Sequence, residues 1–265
     1  MTHSRGGTTD RAGDTPSEPT WPAEALDRLC QAASVVVLTG AGMSAESGIP
    51  TFRDALTGHW SHFRPEELAT PAAFRANPAR VWDWYEERRA GVRATAPHDG
   101  HRALAALESV LQGLVVVTQN VDGFHQLAGS TDVIELHGNI LRSVCSETGR
   151  VIDDVWLAAQ SARPPRSPHH PDGLARPDVV WFGESLPEDA LTRAWQLAQS
   201  ADVLLSIGTS ALVQPAASLP MLALEQGAYV VEINPGRTPF SGQASLSICR
   251  NAGSALPALL DALRL

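Results

Sequence analysis

Three kinds of sequence feature are scarce in this 265-residue chain, and each scarcity excludes a class of protein. Only three cysteines occur and none forms a CxxC pair, which argues against a disulfide framework and against a standard zinc ribbon. No stretch supplies the roughly 18 consecutive apolar residues of a membrane-spanning helix. The net charge is −9 and no run of lysine and arginine is present, so we expect no membrane and no direct nucleic-acid partner. A reducing cytoplasmic location fits this composition.

The residues that are present suffice for a large buried core. Hydrophobic residues make up 43% of the chain, and its length suits one large domain or a domain that carries an inserted lobe. Residues 1–19 are rich in Gly, Ser, Thr, Pro and charge, and we expect a disordered tail there.

Short runs of β-branched and aliphatic residues alternate with helical patterns along most of the chain. Near-continuous apolar strands of this kind predict a parallel sheet covered on both faces, so the expected fold is α/β, a Rossmann-like doubly wound parallel sheet. The predicted strands are 35–39, 114–118, 133–136, 178–182, 202–207, 229–233 and 244–248. The predicted helices are 22–33, 99–111, 187–200, 215–227 and 253–264.

Two segments interrupt this alternation. Residues 55–97 carry several tryptophans on helical patterns and predict a helical insertion, whereas residues 139–176 include a Pro-rich loop and predict a second insertion. Together the insertions are expected to form a smaller lobe. The larger, Rossmann-like domain would then comprise 20–54, 98–138 and 177–265.

The first strand runs into GAGMSA, a G-x-G-x-x-A form of the dinucleotide fingerprint. Gly40 and Gly42 would let the backbone turn sharply and approach a phosphate at the start of a helix. Alone, the motif fits a plain strand-to-helix turn equally well. A second turn, Gly208 to Ser210, ends another predicted strand, and parallel strands place their carboxyl ends at one crevice. No second strand with a ribose-binding acid follows at the spacing of a dehydrogenase.

Five ordered motifs closely resemble the sirtuin family of NAD-dependent protein-lysine deacylases, and more specifically its class III, the bacterial and mitochondrial desuccinylases and demalonylases. The motifs are GAGMSAESGIPTFRD (40–54), TQNVDGFH (118–125), ELHGN (135–139), RPDVVWFGESLP (176–187) and GTS (208–210). The resemblance extends from residue 30 to the C-terminus. It implies NAD between a Rossmann-like domain and a smaller lobe, with acyl-lysine entering as an extended strand from the opposite side.

The resemblance also implies roles for individual residues. The acyl oxygen attacks the ribose to give an O-alkylimidate, nicotinamide leaves, and His137 serves as the base that activates a ribose hydroxyl toward O-acyl-ADP-ribose. Asn120 and Asp122 are the other implied catalytic residues, and Phe52 and Arg53 would close over the cofactor. The full set of implied NAD contacts is Gly40, Ala41, Gly42, Ser44, Ala45, Phe52, Arg53, Gln119, Asn120, Asp122, Gly208, Thr209, Ser210, Asn234, Pro235, Gly236 and Ala252. His125 is expected to be structural.

Tyr85 and Arg88 are three residues apart, so they share one helix face, and they match the Y-x-x-R pattern of the same sirtuin class. A guanidinium group and a tyrosine hydroxyl can together bind a carboxylate. The resemblance therefore implies succinyl-, malonyl- or glutaryl-lysine as substrates, and members of this class usually retain some deacetylase activity. Arg89 is expected to be solvated. The backbone of Val180, Phe182, Gly183 and Glu184 is implied to pair with the substrate strand.

The chain departs from the family where most sirtuins bind a structural zinc. Cys145 stands at the first ligand position, Thr148 at the second, and the later pair falls in a segment without cysteine. Cys145, His169, His170 and Asp172 form a conceivable set, but adjacent histidines rarely reach one metal, so we expect none.

Two other functions use the same pocket. An NAD glycohydrolase or ADP-ribosyltransferase would not need the intact RPDVVWFGE strand (176–184), and a non-enzymatic NAD or ADP-ribose sensor would not need His137, Asn120 and Asp122. Both alternatives are therefore weaker than the deacylase.

Overall fold

Two sheets organise the part of the chain that this computed structural model describes, residues 21–49 and 67–264. In chain order the elements are α1 (Ala23–Gln31), β1 (Val35–Thr39), α2 (Ala41–Ala45), α3 (Pro71–Ala76), α4 (Pro78–Arg93), α5 (Asp99–Leu107), β2 (Leu114–Thr118), α6 (Phe124–Ala128), β3 (Val133–Glu135), β4 (Gly138–Cys145), β5 (Val151–Ile152), α7 (Asp154–Ala158), β6 (Ala175–Val179), α8 (Glu188–Ser200), β7 (Val203–Ile207), α9 (Leu219–Glu225), β8 (Tyr229–Ile233), β9 (Leu246–Ile248) and α10 (Ala252–Arg264).

The larger sheet has six parallel strands in the order β3-β2-β1-β7-β8-β9. This is the strand order of a dinucleotide-binding Rossmann fold, and the direction of winding reverses between β1 and β7. Ligands of such sheets bind at that reversal, outside the carboxyl ends of the strands. The predicted α/β fold is therefore confirmed, and its crevice lies where Thr39 and Ile207 end their strands.

Helices cover both faces of this sheet, which is why its central strands are buried along their whole length and are mostly apolar. All five residues of β1, of β2 and of β7 are buried. On one face Leu29, Leu104 and Leu256 belong to one apolar core, and on the other Leu219 and Phe240 belong to a second. Within the described ranges no helix is long and apolar enough to cross a membrane.

The smaller sheet is antiparallel, with the order β5-β4-β6, and an aromatic core lies beside it. Tyr85 and Trp84 of α4 pack in this core with Phe124, Phe74 and Trp181. The sheet and α3–α4 come from the two segments that interrupt the alternation of strands and helices. The exact domain boundaries given above stay a prediction.

The strand predicted at 178–182 is placed differently in the structure. The strand is β6, Ala175–Val179, and it pairs antiparallel with β4 instead of joining the parallel sheet. The apolar run that suggested a core strand continues to Trp181, which is 2% exposed because it packs against Phe74 and Tyr85. The chain then turns at Gly183, whose φ is +86°. The apolar residues up to Trp181 therefore reflect packing against α4 and do not indicate a strand of the parallel sheet.

Most predicted helices are present but shorter. The segment predicted as a helix at 215–227 consists of a 3-10 turn, Ala216–Ser218, followed by α9. Pro220 stands in the first turn of α9, a position where the missing N–H costs nothing. The helix predicted at 99–111 ends at Leu107.

Candidate active site

The turns after β1 and β7 pack directly against each other at the crevice. Gly42 N–H donates to Gly208 O at 2.8 Å, and Gly40 N–H donates to Ile207 O at 3.0 Å. A Cβ on Gly42 would lie 2.8 Å from Gly208 Cα, and one on Gly40 would lie 2.9 Å from Gly208 O. Gly40 itself is extended, with φ −131°. The glycines of GAGMSA are therefore required by the close approach of the second turn rather than by an unusual backbone conformation.

Polar side chains from β2 and its following loop meet the first turn. Asn120 Nδ2 donates to Gly40 O at 3.0 Å and to Ser44 Oγ at 3.1 Å. Ser44 Oγ in turn donates to Asp122 Oδ2 at 2.8 Å. Three residues that were predicted to contact the cofactor or its reacting atoms thus form one hydrogen-bonded network, and all three are buried.

Burial raises the pKa of Asp122, and hydrogen bonds from Phe124 N–H and Ser44 Oγ partly offset that rise. The carboxyl group is therefore held by fixed donors on both oxygens. A group held in this way orients its neighbours precisely, which suits a residue that shapes the nicotinamide end of a pocket.

His137 is oriented by the loop that carries Gln119. Its Nδ1 lies 2.9 Å from Gln119 O, and since a carbonyl can only accept, Nδ1 carries the hydrogen. In the neutral ring Nε2 is then the basic nitrogen. Burial lowers the pKa of His137, partly offset by the bond to Gln119. The ring is consequently neutral at physiological pH and ready to accept a proton at Nε2.

The remaining predicted cofactor contacts that follow β1, β7 and β8 lie at the carboxyl edge of the same sheet. Asn234 Nδ2 donates to Thr209 O at 2.7 Å, which ties the turn after β8 to the turn after β7. Ala252 is 4% exposed and packs in the core at the start of α10. Phe52 and Arg53 lie outside the described residues. Exposed at the crevice are Ala41, Ala45, Ser210, Pro235 and Gly236.

The predicted acyl-binding pair lies on α4, where Tyr85 belongs to the aromatic core and Arg88 is half-buried beside it. Tyr85 is fully buried, and its hydroxyl accepts a hydrogen bond from Trp181 Nε1 at 3.0 Å. The Arg88 guanidinium carbon lies 4.9 Å from the Trp84 ring centroid and 5.5 Å from that of Tyr85. Burial lowers the pKa of Arg88 and raises that of Tyr85. The two side chains are adjacent, as the spacing predicted, and Trp181 joins them to the predicted substrate segment.

The prediction for Arg89 was wrong, because its side chain is buried rather than solvated. It is 2% exposed and donates to Ile140 O at 2.6 Å, to Arg142 O at 2.9 Å and to Ser143 Oγ at 2.9 Å. Its other terminal nitrogen pairs with Glu86 at 2.7 Å. Arg89 therefore fastens α4 to β4.

The segment predicted to pair with substrate is held by its own hydrogen bonds. Val180 N–H donates to His137 O, Phe182 N–H to Ala69 O and Glu184 N–H to Trp181 O, at 3.0, 3.0 and 2.9 Å. The Glu184 carboxylate also pairs with Arg176 at 2.6 Å. Three of its amides are thus committed within the chain, so a substrate strand would have to use carbonyl oxygens here and the Gly183 amide.

The side chains at the family's zinc position do not fit a tetrahedral metal site. Hydroxyls of Ser167 and Thr148 hydrogen-bond the Cys145 thiol, while His169 Nε2 donates to Val151 O at 2.8 Å. Burial raises the pKa of Cys145, but these hydrogen bonds, with those of the Glu147 and Thr148 amides, lower it overall. Over the described residues no three His, Cys, Asp or Glu side chains are grouped to hold a metal. The absence of zinc stays a prediction.

Sequence reasoning missed two groups that support the site. His98 Nε2 donates to Met43 O at 2.6 Å, which fixes the turn after β1 from the start of α5. Thr39 and Thr118, the last residues of β1 and β2, hydrogen-bond each other at 2.8 Å below Asn120. The threonines could have been noticed as hydroxyl residues that end two adjacent buried strands, whereas nothing in the sequence marked His98.

Comparisons with known proteins agree with this geometry. Residues 40–215 match the Sir2 family. The chain is similar to the NAD-dependent protein deacylase 1 of Caldanaerobacter subterraneus subsp. tengcongensis, with 53% identity over 83% of this chain and 90% of the relative. Among solved structures it is similar to a Sir2 homolog in complex with NAD, with a TM-score of 0.85 and 41% identity over 93% of this chain and 96% of the other. It is also similar to a Sir2 protein with a p53 peptide and NAD, with a TM-score of 0.78 and 32% identity over 90% and 97% of the two chains.

Proposed function

Because the chain belongs to the Sir2 family and is an NAD-dependent protein deacylase, we propose that it removes acidic acyl groups, namely succinyl, malonyl or glutaryl, from lysine side chains, with acetyl as a lesser substrate. The observation that carries this proposal is the placement of Arg88 beside the ring of Tyr85. The Tyr85 hydroxyl also accepts a hydrogen bond from Trp181. An acidic acyl chain ends in a carboxylate, and arginine binds carboxylates through two parallel hydrogen bonds. A tyrosine hydroxyl that accepts one bond still has a hydrogen to donate.

The cofactor site is proposed from the crevice between β1 and β7. The residues that would hold NAD are those of the turns at Gly40 and Gly208, with Ser44, Asn120 and Asn234, and their arrangement fits it because two glycine turns meet where a Rossmann sheet binds dinucleotides. When bound, NAD supplies the ribose that accepts the acyl group. Asn120 and Asp122 would orient the reacting end.

His137 is proposed as the general base. Its hydrogen at Nδ1 is committed to Gln119 O, so Nε2 is the atom that takes the proton. The peptide would lie along Val180–Glu184, where His137 O is bonded to Val180 N–H and so links the base to the substrate segment. The free thiols of Cys30, Cys145 and Cys249 support a reducing cytoplasmic location.

The experiment compares kcat/KM for succinyl-lysine and acetyl-lysine versions of one peptide in wild type and in Arg88→Ala, Arg88→Lys and Tyr85→Phe. Removing the guanidinium is expected to lower succinyl activity roughly 100-fold while acetyl activity changes less than about 5-fold, since a charge-assisted bidentate pair contributes more than a neutral contact. Arg88→Lys keeps the charge but loses the fork and is expected to be intermediate.

The matched control is Arg93→Ala, an exposed arginine on the same helix, which is expected to leave the succinyl to acetyl ratio unchanged. Equal losses for both peptides in Arg88→Ala would reject the acidic preference. Nicotinamide release at the same rate without any peptide would instead indicate an NAD glycohydrolase.

A further inference from the structure

A line of buried polar groups leads from His125 to the backbone of Asn120. His125 Nε2 lies 2.9 Å from Thr39 Oγ1, which lies 2.8 Å from Thr118 Oγ1. Thr118 Oγ1 accepts a hydrogen bond from Asn120 N–H at 3.0 Å. His125 is 1% exposed and the two threonines are 0% and 3% exposed, so no water competes for these contacts.

The register of the sheet creates this line. Thr39 and Thr118 are paired residues at the ends of the adjacent parallel strands β1 and β2, so their side chains meet on one face. Helix α6 then returns His125 to that face only five residues after Asn120. The same strand end also holds the neighbouring residue, since Gln119 N–H donates to Thr39 O at 3.0 Å.

The direction of the hydrogen bonds follows from the groups involved. The Asn120 amide must donate, and the Thr39 hydroxyl donates to Thr118, so the Thr39 oxygen accepts from His125 Nε2–H. His125 Nδ1 is buried and has no partner among the described residues. Among the described residues, the one hydrogen bond of the His125 ring is therefore the bond to Thr39.

The neighbouring His101 shows what a histidine without such a role looks like here. Its ring centroid lies 5.1 Å from that of His125, it is completely buried, and neither ring nitrogen has a partner within the described chain. His101 fills space beside Phe124, at 5.7 Å between centroids. Of the two adjacent buried rings, only His125 has a hydrogen bond among the described residues, the bond to Thr39, so His101 serves as a comparison.

The position of Asn120 is sensitive to small shifts. Its side-chain nitrogen reaches both Gly40 O and Ser44 Oγ, so a displacement of its backbone would break the network that includes Asp122. Misplacement of a reacting group by about 1 Å costs on the order of 100-fold in rate. A support that fixes the Asn120 amide would therefore act on kcat.

Resting on the proposed function, we propose that His125 is a positioning residue that holds Asn120 in its productive position through the hydroxyl groups of Thr39 and Thr118. This role is exerted through the two hydroxyl groups and requires no contact of His125 with substrate or cofactor. The proposal adds a positioning role to the structural role that the sequence predicts for His125.

The test replaces single links of the line in the full chain. Thr39→Val keeps the shape and removes the hydroxyl, whereas Thr39→Ser keeps the hydroxyl. We expect Thr39→Val to lower kcat roughly 10-fold to 100-fold with little change in the KM of the acyl peptide, and Thr39→Ser to remain within about 3-fold of wild type. His125→Gln, which retains an N–H donor, is expected to exceed His125→Leu in kcat, and His101→Phe to match wild type.

A second readout separates this inference from the proposed function. The exchange rate of the Asn120 amide hydrogen, measured by NMR, is expected to rise in Thr39→Val and His125→Leu but not in Thr39→Ser or His101→Phe. If the wild type transfers no acyl group, the proposed function fails and this exchange rate alone decides the inference. The inference would be overturned if Thr39→Val kept the wild-type kcat and the wild-type exchange rate of the Asn120 amide. It would also be overturned if Thr39→Val lost stability but kept the wild-type kcat.

Discussion

At the scale of single residues, His137 shows how one hydrogen bond selects the reactive atom. The bond from Nδ1 to Gln119 O leaves Nε2 as the basic nitrogen, and burial lowers the pKa of the ring below its ordinary value of 6.5. Burial therefore favours the neutral ring that the proposed role of His137 as a base requires.

The rate of deacylation should therefore rise with pH as His137 loses its proton and reach a plateau, with a midpoint below 6.5. The measurement is kcat/KM for one acyl peptide at pH values from about 5 to about 8, a range that includes the ordinary pKa of histidine. His137→Ala should give no deacylated product at any of these pH values. A midpoint above the ordinary histidine value would contradict the assignment of this base.

At the scale of elements, the two glycine turns that line the proposed cofactor crevice pack closely because Gly40, Gly42 and Gly208 have no side chain where they touch. Gly208 has φ +61°, and a Cβ there would lie 2.3 Å from Met43 N. A substitution at Gly208 would combine backbone strain with a clash against a backbone atom that has no room to move.

Gly208→Ala is expected to lower the free energy of unfolding by about 3 to 5 kcal/mol and to weaken NAD binding. The control is Gly227→Ala, where φ is +94° but no atom lies within 4 Å of the added Cβ. Strain alone should cost about 1 to 2 kcal/mol there. Urea unfolding of both variants gives the difference, and equal losses would show that the contact between the turns is unimportant.

Helix α4 and strand β4 are joined by Arg89, which donates to two carbonyls and one hydroxyl of the strand. Arg89→Met would leave these buried acceptors unpaired and should destabilise the fold by about 2 to 4 kcal/mol. The exposed Arg93→Met should change stability by less than about 0.5 kcal/mol. Denaturant midpoints of the two variants provide the comparison, and similar values would refute the role of Arg89.

The elements of the parallel sheet could be predicted because each is a run of β-branched or aliphatic residues, buried on both faces. The grouping of Asn120 and Asp122 beside the first turn could be predicted because both lie in one short segment that follows β2. The different roles of Arg88 and Arg89 could not be predicted from the sequence. Consecutive helix residues are rotated by about 100°, and only the packing of α4 against β4 decides which of the two side chains faces that strand. The pairing of β6 with β4 could not be predicted either. The apolar run that contains Trp181 resembles a strand of the parallel sheet, but Trp181 packs against Phe74 and Tyr85, which lie on helices distant in sequence.

At the scale of the whole molecule, two buried histidines couple folding to pH. Burial lowers the pKa of His101 to about 2 and that of His125 to about 4, whereas an unfolded histidine titrates near 6.5. Below that value the unfolded chain binds more protons than the folded chain, so stability is complete above about pH 6.5 and is lost as pH falls.

Each of these histidines should contribute a slope of about 1.4 kcal/mol per pH unit between about pH 6 and pH 4. His101→Phe keeps an aromatic ring, removes one of the two titrating groups and should therefore flatten the dependence by one such slope. Urea unfolding at a series of pH values measures both proteins. Parallel curves for the two would show that His101 does not bind a proton on unfolding.

The central claim, transfer of an acyl group from lysine to the ribose of NAD, is tested most directly by counting products. Nicotinamide and deacylated peptide are measured together in one reaction with NAD and a succinyl-lysine peptide, with the unmodified peptide as control. We expect the two products in equal amounts and no nicotinamide above background with the control peptide. Nicotinamide that accumulates without peptide, or without deacylated product, would contradict the account.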